Sequence, residues 1–268
     1  MSLLGNFSGA CVRRVIDPSR AVVAEHAHSW PMISLYVMGE YRNVTERGEQ
    51  NIAGPSMVFY APGVAHHNVI GAMGFEQIEI EFDPAWLGAS MLPSEELVLR
   101  VGGACGAFAR SVAGACGTRL SESDLRAAIQ RLLWIAHREP AKPTSAWIGD
   151  VTARLRADPC RRVGDLAHEV GRSPAWIGPA YRHSIGEGLQ EAAARFRVER
   201  AAQLLRESDH SLAAVAAEAG FCDQSHMNRT FRRLLGRPPT AVREDRESFR
   251  HADTDEAALS RAVTRRSD

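Results

Sequence analysis

Gln224, Ser225, Asn228, Arg229 and Arg232 recur at the spacing that puts side chains on one face of a helix. They are the residue types that touch base edges and phosphates. Arg pairs with guanine O6 and N7, and Asn or Gln with adenine N6 and N7. Met227, Phe231 and Leu234 fall on the opposite face and are expected to be buried. Asp223, just ahead, has the short side-chain acceptor that caps a helix start.

This stretch has a partner earlier in the chain. VGDLAHEVGRSPAWIGPAYRHSIG (163–186) resembles LAAVAAEAGFCDQSHMNRTFRRLLG (212–236). Ala167 answers to Ala216, Gly171 to Gly220, Tyr181 to Phe231 and Gly186 to Gly236. Each copy reads as a short helix, a glycine-containing turn and a second helix, the helix-turn-helix pattern. Ala167 and Ala216 permit close helix crossing, and Gly171 and Gly220 supply positive φ at the turn. Residues 188–208 between the copies read as one helix. At ~1.5 Å per residue it is ~30 Å long, near one ~34 Å turn of duplex DNA.

The first copy departs from the second. Ser173-Pro174 is a good helix start, and it places Ala175 and Trp176 as candidate DNA contacts. Gly178-Pro179 then interrupts. A mid-helix proline loses a backbone bond and clashes with the carbonyl four residues earlier, here Ala175, at ~3 kcal/mol. Either the helix kinks, or Gly178 caps a shorter helix beginning at Pro179. The first copy is therefore expected to position the protein more than to read bases.

The elements that must carry these residues follow from composition and pattern. The 268 residues are 45% hydrophobic and 24% charged, an ordinary globular composition with room for two domains. No run of about 20 apolar residues predicts a membrane span, and the N-terminus lacks a basic-then-apolar signal segment. The five cysteines are scattered without a CxxC pair, which suits reduced thiols in a cytoplasmic protein. Net charge is zero, but residues 1–150 carry −3 and residues 151–250 carry +4, with arginine as the only cation of the latter. Arginine is the better bidentate donor to phosphate and base edges.

Residues 20–83 read as short strands (AVVAEHAH, SLYVMGEYRNVTE, PSMVFYAP, HHNVI, EQIEIEF) separated by GEY, RGEQNIAGP and APG. In EQIEIEF, Ile78, Ile80 and Phe82 alternate with Glu79 and Glu81. Such spacing predicts a small barrel or sandwich. SEELVLRVGGACGAFARSVAGACG reads as broken helix. Leu125, Ile129, Leu132, Leu133 and Ala136 mark an amphipathic helix over 122–138, capped by Ser121 or Ser123 and stopped by Pro140. Residues 139–145 read as a linker, and the polar tail after Arg246 as frayed. The organisation expected is a barrel over 1–90, a helical connector over 91–140, a helical domain over 145–245 and a tail over 246–268.

DLAHEVGRSP, RFRVERAAQLL and AAVAAEAGFCDQSHMNRTFRRLLGRPPTAVR together resemble the DNA-binding domain of the AraC/XylS family. The resemblance covers about 145–243. It implies seven helices, two of them DNA-reading, and transcriptional control, most often activation. In that family the first reading helix commonly carries Arg where Pro179 stands here. EHAHSWPMISLYVMGEY and GPSMVFYAPGVAHHN resemble the two signature stretches of cupin barrels, which many AraC-family regulators carry as sensors. This implies a small-molecule effector site lined by Trp30, Tyr36, Phe59 and His66. In metal cupins a histidine pair, a glutamate and a later histidine bind the metal. His26, His28 and His66 match the histidines, while the glutamate position falls near Met32 or Ile33. Three histidines still suit Zn²⁺ or Fe²⁺ with an open position. The fold class expected is α+β: a cupin-like barrel followed by helices, then an all-α domain of two helix-turn-helix motifs joined by a linker helix. No cofactor is required. The partners implied are double-stranded DNA, RNA polymerase, an effector and a second copy of the chain, with no membrane. The alternative is a metal-dependent cupin enzyme with an appended DNA-binding module. No nucleophile elbow, P-loop or dinucleotide fingerprint supports other chemistry.

Overall fold

A computed structural model describes residues 2–17, 20–88, 91–93, 97–116, 120–138 and 145–244. Pro140, most of the expected linker and the tail beyond Arg246 lie outside them. The described residues group into two compact units, 1–199 and 200–268.

The first unit opens with an antiparallel eight-stranded sheet. Its strands are β1 (Ser2–Asn6), β2 (Ala10–Asp17), β3 (Val22–His26), β4 (Met32–Thr45), β5 (Gly48–Ala53), β6 (Ser56–Tyr60), β7 (His66–Phe82) and β8 (Leu97–Val101). The order is β1-β2-β7-β4-β6-β8, with β3 on β7 and β5 on β4. The long strands β4 and β7 pair with each other along most of their lengths. The expectation of strands from residue 20 missed β1 and β2. GEY does not break a strand but lies inside β4, and 48–53 is β5 rather than a separator. HHNVI and EQIEIEF are two parts of β7. LVLRV, read as helix, is β8 on the edge beside β6, paired antiparallel from Leu97 opposite Tyr60 to Val101 opposite Ser56.

Alternation splits the apolar residues between the two faces of this sheet. Ile33, Leu35, Met57, Phe59, Ile78, Ile80 and Phe82 form one core with the helices α2 (Gly103–Cys116) and α3 (Glu122–Arg138). A short helix, α1 (Pro84–Leu87), adds Leu87 to it. Met32, Tyr36, Tyr41, Val58, Tyr60, Ile70 and Phe75 form the second core. The α3 helix buries the five residues its periodicity marked, and Ser121, not Ser123, caps it by accepting from the Asp124 N–H at 3.1 Å.

The helical part of this unit is α4 (Ala146–Ala157), α5 (Val163–Glu169), α6 (Pro174–Ile185) and the first part of α7 (Leu189–Glu207). Ile148, Val151, Leu155, Leu166, Ile177, Tyr181 and Phe196 make its core. The second unit holds the rest of α7, then α8 (Leu212–Glu218) and α9 (Gln224–Leu235). Its core is Ala201, Leu205, Val215, Ala216, Phe221, Met227, Phe231 and Leu235. With residues 239–244, which are also helical, the described residues 145–244 carry seven helical segments, the number the resemblance implied. Among the described residues no helix is long and apolar enough to cross a membrane.

Candidate nucleic-acid interface and histidine site

Both helix-turn-helix motifs are built on the same turn. In the second, the Gly220 N–H donates to the Ala217 carbonyl at 3.1 Å and the Phe221 N–H to the Ala216 carbonyl at 2.9 Å. In the first, Gly171 donates to His168 at 3.1 Å and Arg172 to Ala167 at 2.8 Å. These are paired Schellman bonds, and they need a left-handed residue between helix end and next turn. Gly171 (φ 65°) and Gly220 (φ 83°) provide it without Cβ strain.

The angle set by that turn aims α9. Asp223 caps it, accepting from the His226 N–H at 2.6 Å, and Gly236 (φ 68°) ends it. Met227, Thr230, Phe231 and Leu235 are buried. Leu235 takes the inward place expected of Leu234, which is only half-buried. Thr230 tolerates burial because its hydroxyl donates to the His226 carbonyl at 2.9 Å. Gln224, Ser225, Arg229, Arg232 and Arg233 are exposed and Asn228 is half-buried, so the hydrogen-bonding face points outward.

In the first motif α6 is continuous from Pro174 to Ile185 with Pro179 inside it. Gly178 is therefore not a cap, which corrects the shorter-helix alternative. The Ile177 N–H donates to the Ser173 carbonyl at 3.0 Å. Two residues on, proline has no N–H to offer the Ala175 carbonyl, which solvent can reach because Ala175 is exposed. Ala175 and Trp176 both lie on the outward face, as expected.

The expected effector residues do not converge. Phe59 and Tyr60 are neighbours on β6 and so face opposite ways. Phe59 belongs to the core under α2 and α3, away from His66. Trp30 is 49% exposed. Tyr36 is buried, and its hydroxyl donates to Glu199 on α7 at 2.7 Å. Only His66 remains from that set, and it joins the other histidines. His26 pairs with His66 across β3 and β7, and His28 follows two residues later. Their nearest nitrogens all lie within 4.8 Å of one another.

Each Nδ1 faces an acceptor: Ala24 O for His26 at 2.8 Å, Glu81 Oε1 for His28 at 2.9 Å, and Val64 O for His66 at 3.1 Å. The proton therefore sits on Nδ1, and Nε2 keeps a lone pair for a ligand. Burial pushes the His66 pKa down to about 4, against the pull of the Val64 carbonyl. Burial also lowers His28, against Glu81. His28 Nε2 is buried without a hydrogen-bond partner among the described residues. Three imidazoles, oriented by carbonyl and carboxylate acceptors, fit a divalent metal such as Zn²⁺ once the rings draw in to Zn–N distances of about 2.0–2.1 Å. Glu81, absent from the spacing argument, is the residue that orients His28, and it also pairs with Arg13.

A buried charged cluster is a further feature that the spacing of motifs does not single out. Arg195, on α7, donates to Glu187 at 2.7 Å and to Glu199 at 2.9 Å. Arg110 on α2 reaches Glu187 at 2.7 Å, and the Gly39 N–H on β4 reaches Glu199 at 3.3 Å. The cluster ties the sheet to α7 and to the residue following the C-cap of α6, all inside the first unit. A signal existed: Arg195 and Glu199 stand four apart on α7, on the side of a helix turn occupied by Ala192 and Phe196.

Residues 166–245 match a family model described as a helix-turn-helix domain. A putative AraC-like transcription regulator of Streptomyces lividans is 35% identical over 92 residues, covering 34% of this chain and 30% of that protein. The chain thus spans about a third of the length of such curated relatives. The uncharacterized HTH-type transcriptional regulator YidL of Escherichia coli (strain K12) is 25% identical over 240 residues, 85% of this chain and 80% of YidL. A crystal structure of the DNA-binding domain of AdpA, described as the global transcriptional factor and in complex with a target DNA, is 28% identical. It covers 40% of this chain and 97% of that one, at a TM-score of 0.37. Over residues 166–245 the chain carries a helix-turn-helix domain.

Proposed function

We propose that the protein is a sequence-specific, DNA-binding transcription regulator whose second helix-turn-helix reads the major groove. The observation that carries this is the outward face of α9, where Gln224, Ser225, Arg229 and Arg232 are exposed and Asn228 is half-buried, on a helix whose inward side is locked by Met227, Phe231 and Leu235. Regulation of this kind needs DNA affinity that differs between effector-bound and effector-free states, and no catalytic step. The test is anisotropy titration of random-sequence duplex against a selected duplex at several salt concentrations. Both affinities should fall with salt, since phosphate contacts supply the shared term, while the selected duplex stays about a thousandfold or more tighter. Equal affinities would reject the proposal.

The sheet half is proposed as the sensor, with His26, His28 and His66 as its ligand site. Their oriented Nε2 lone pairs favour a divalent metal over an organic effector held by Trp30, Tyr36 and Phe59. Zn²⁺ at 100 times its dissociation constant should stabilise the fold by about 2.7 kcal/mol. The rise in Tm should vanish in His66→Ala. No shift in wild type would remove the metal from the account.

The regulator is proposed to act as a homodimer through α3. Its outward face carries Trp134, 53% exposed, with the Arg138 guanidinium 4.3 Å from the ring centre. Trp134→Glu should weaken dimerisation by about 2 kcal/mol, roughly thirtyfold in dissociation constant. Sedimentation equilibrium reads this directly, and identical association of the variant and wild type would contradict it.

A further inference from the structure

The helices α6 and α9 occupy the same place in two copies of one motif, and their registers align without a gap. Tyr181 stands where Phe231 stands, and Gly186 where Gly236 stands. In that register Pro174 replaces Gln224, Ala175 replaces Ser225, Gly178 replaces Asn228 and Pro179 replaces Arg229. Four side chains that donate or accept hydrogen bonds on α9 become four that do neither. Arg182, in the place of Arg232, alone keeps the polar character.

The first two turns of α6 present an apolar outward face. Ala175, Trp176 and Pro179 are exposed, while Ile177 and Tyr181 on the other side are buried. Trp176 is the third residue of the helix and 44% exposed. Its ring is held in place: the Arg172 guanidinium lies 4.9 Å from its centre, and the Trp147 ring lies 5.1 Å away at 52°. A large indole kept exposed and oriented, in the place of His226 and next to Ala175, which takes the place of Ser225, suits a flat apolar contact.

The major groove offers one apolar group for such a contact, the C5-methyl of thymine. The N-terminal residues of a reading helix are those that reach base edges. We propose that the first helix-turn-helix reads thymine by its methyl group, through Ala175 and Trp176, and not by base hydrogen bonds. Arg172 and Arg182 flank this contact at phosphates. The two motifs then read by different chemistry: hydrogen bonds at the half-site of α9, methyl contact at the half-site of α6. This inference rests on the DNA-reading function proposed above.

The test uses the full-length protein and a duplex selected from a random library. Each thymine is replaced in turn by deoxyuridine, which removes the methyl and keeps every donor and acceptor. The half-site of α9 is identified as the one where Arg229→Ala loses discrimination. In the other half-site, deoxyuridine at a contacted position should weaken wild-type binding about three- to fivefold, the value of one buried methyl-sized group. Trp176→Ala, at an exposed position, should bind the thymine and deoxyuridine duplexes alike. Trp176→Leu should retain part of the discrimination. Wild type that treats the two duplexes alike throughout that half-site overturns the inference while leaving DNA reading intact. So does Trp176→Ala with undiminished discrimination. A protein that selects no sequence at all overturns both.

Discussion

Arg195→Ala should cost about 3–5 kcal/mol of folding stability, the largest effect expected of any single substitution here. Arg195 is buried between two carboxylates that are themselves buried, Glu187 and Glu199. Its Nε and Nη2 grip Glu187, and its Nη1 reaches Glu199 and the Tyr36 hydroxyl. Among the described residues, truncation leaves Glu187 with Arg110, and Glu199 with Tyr36 and the Gly39 N–H. One Oε of Glu199 already lacks a partner among the described residues, so little slack remains. Urea unfolding reads the loss. The second arm separates charge from packing. Arg195→Met combined with Glu199→Met removes a buried pair and should recover much of the loss, because desolvation of both charges is then relieved. Tyr36→Phe should cost only about 1 kcal/mol, one hydrogen bond. A cost for Arg195→Ala below that of Tyr36→Phe would mean the cluster is not what holds α7 to the sheet.

Arg229→Ala should reduce affinity for the selected duplex by about 1–3 kcal/mol, roughly five- to 150-fold, and relax the preference for guanine at one position. The side chain is exposed, so the fold should change by less than about 0.5 kcal/mol. Arg229→Lys should not restore the preference, because an ammonium cannot form the bidentate fork. Loss of affinity that is uniform over all duplexes would instead assign Arg229 to a phosphate. Unchanged affinity would remove it from the interface.

The sequence was most readable where one local force decides. The α3 helix follows its apolar period, and both helix-turn-helix motifs follow their glycines, because a positive φ leaves little choice of residue. Of the two outcomes that Pro179 left open, the shorter helix is the one that fails, because α6 runs on through it. The lost bond falls at Ala175, an exposed residue, and the burial of Ile177 and Tyr181 on either side holds the helix together. The β8 strand was misread because its pairing with β6 is a tertiary choice that LVLRV alone does not make. Phe59 was misplaced by one step of alternation: its neighbour Tyr60 is the residue that stacks on His66, at 4.2 Å between ring centres. The histidines were legible as types, but Glu81 behind His28 comes from the far end of β7, a long-range pairing that no spacing rule shows. The charged cluster was hidden for the same reason. Arg195 and Glu199 look like a solvated helical pair until the sheet covers them.

The most direct measurement is methylation interference at guanine N7 on the selected duplex, for wild type and Arg229→Ala together. A methyl group on N7 occupies the acceptor that an Arg fork needs. The account predicts a guanine whose methylation blocks wild-type binding and is neutral for Arg229→Ala. If no major-groove methylation interferes with wild type, or if the same guanines interfere equally for both proteins, α9 does not read the groove through Arg229.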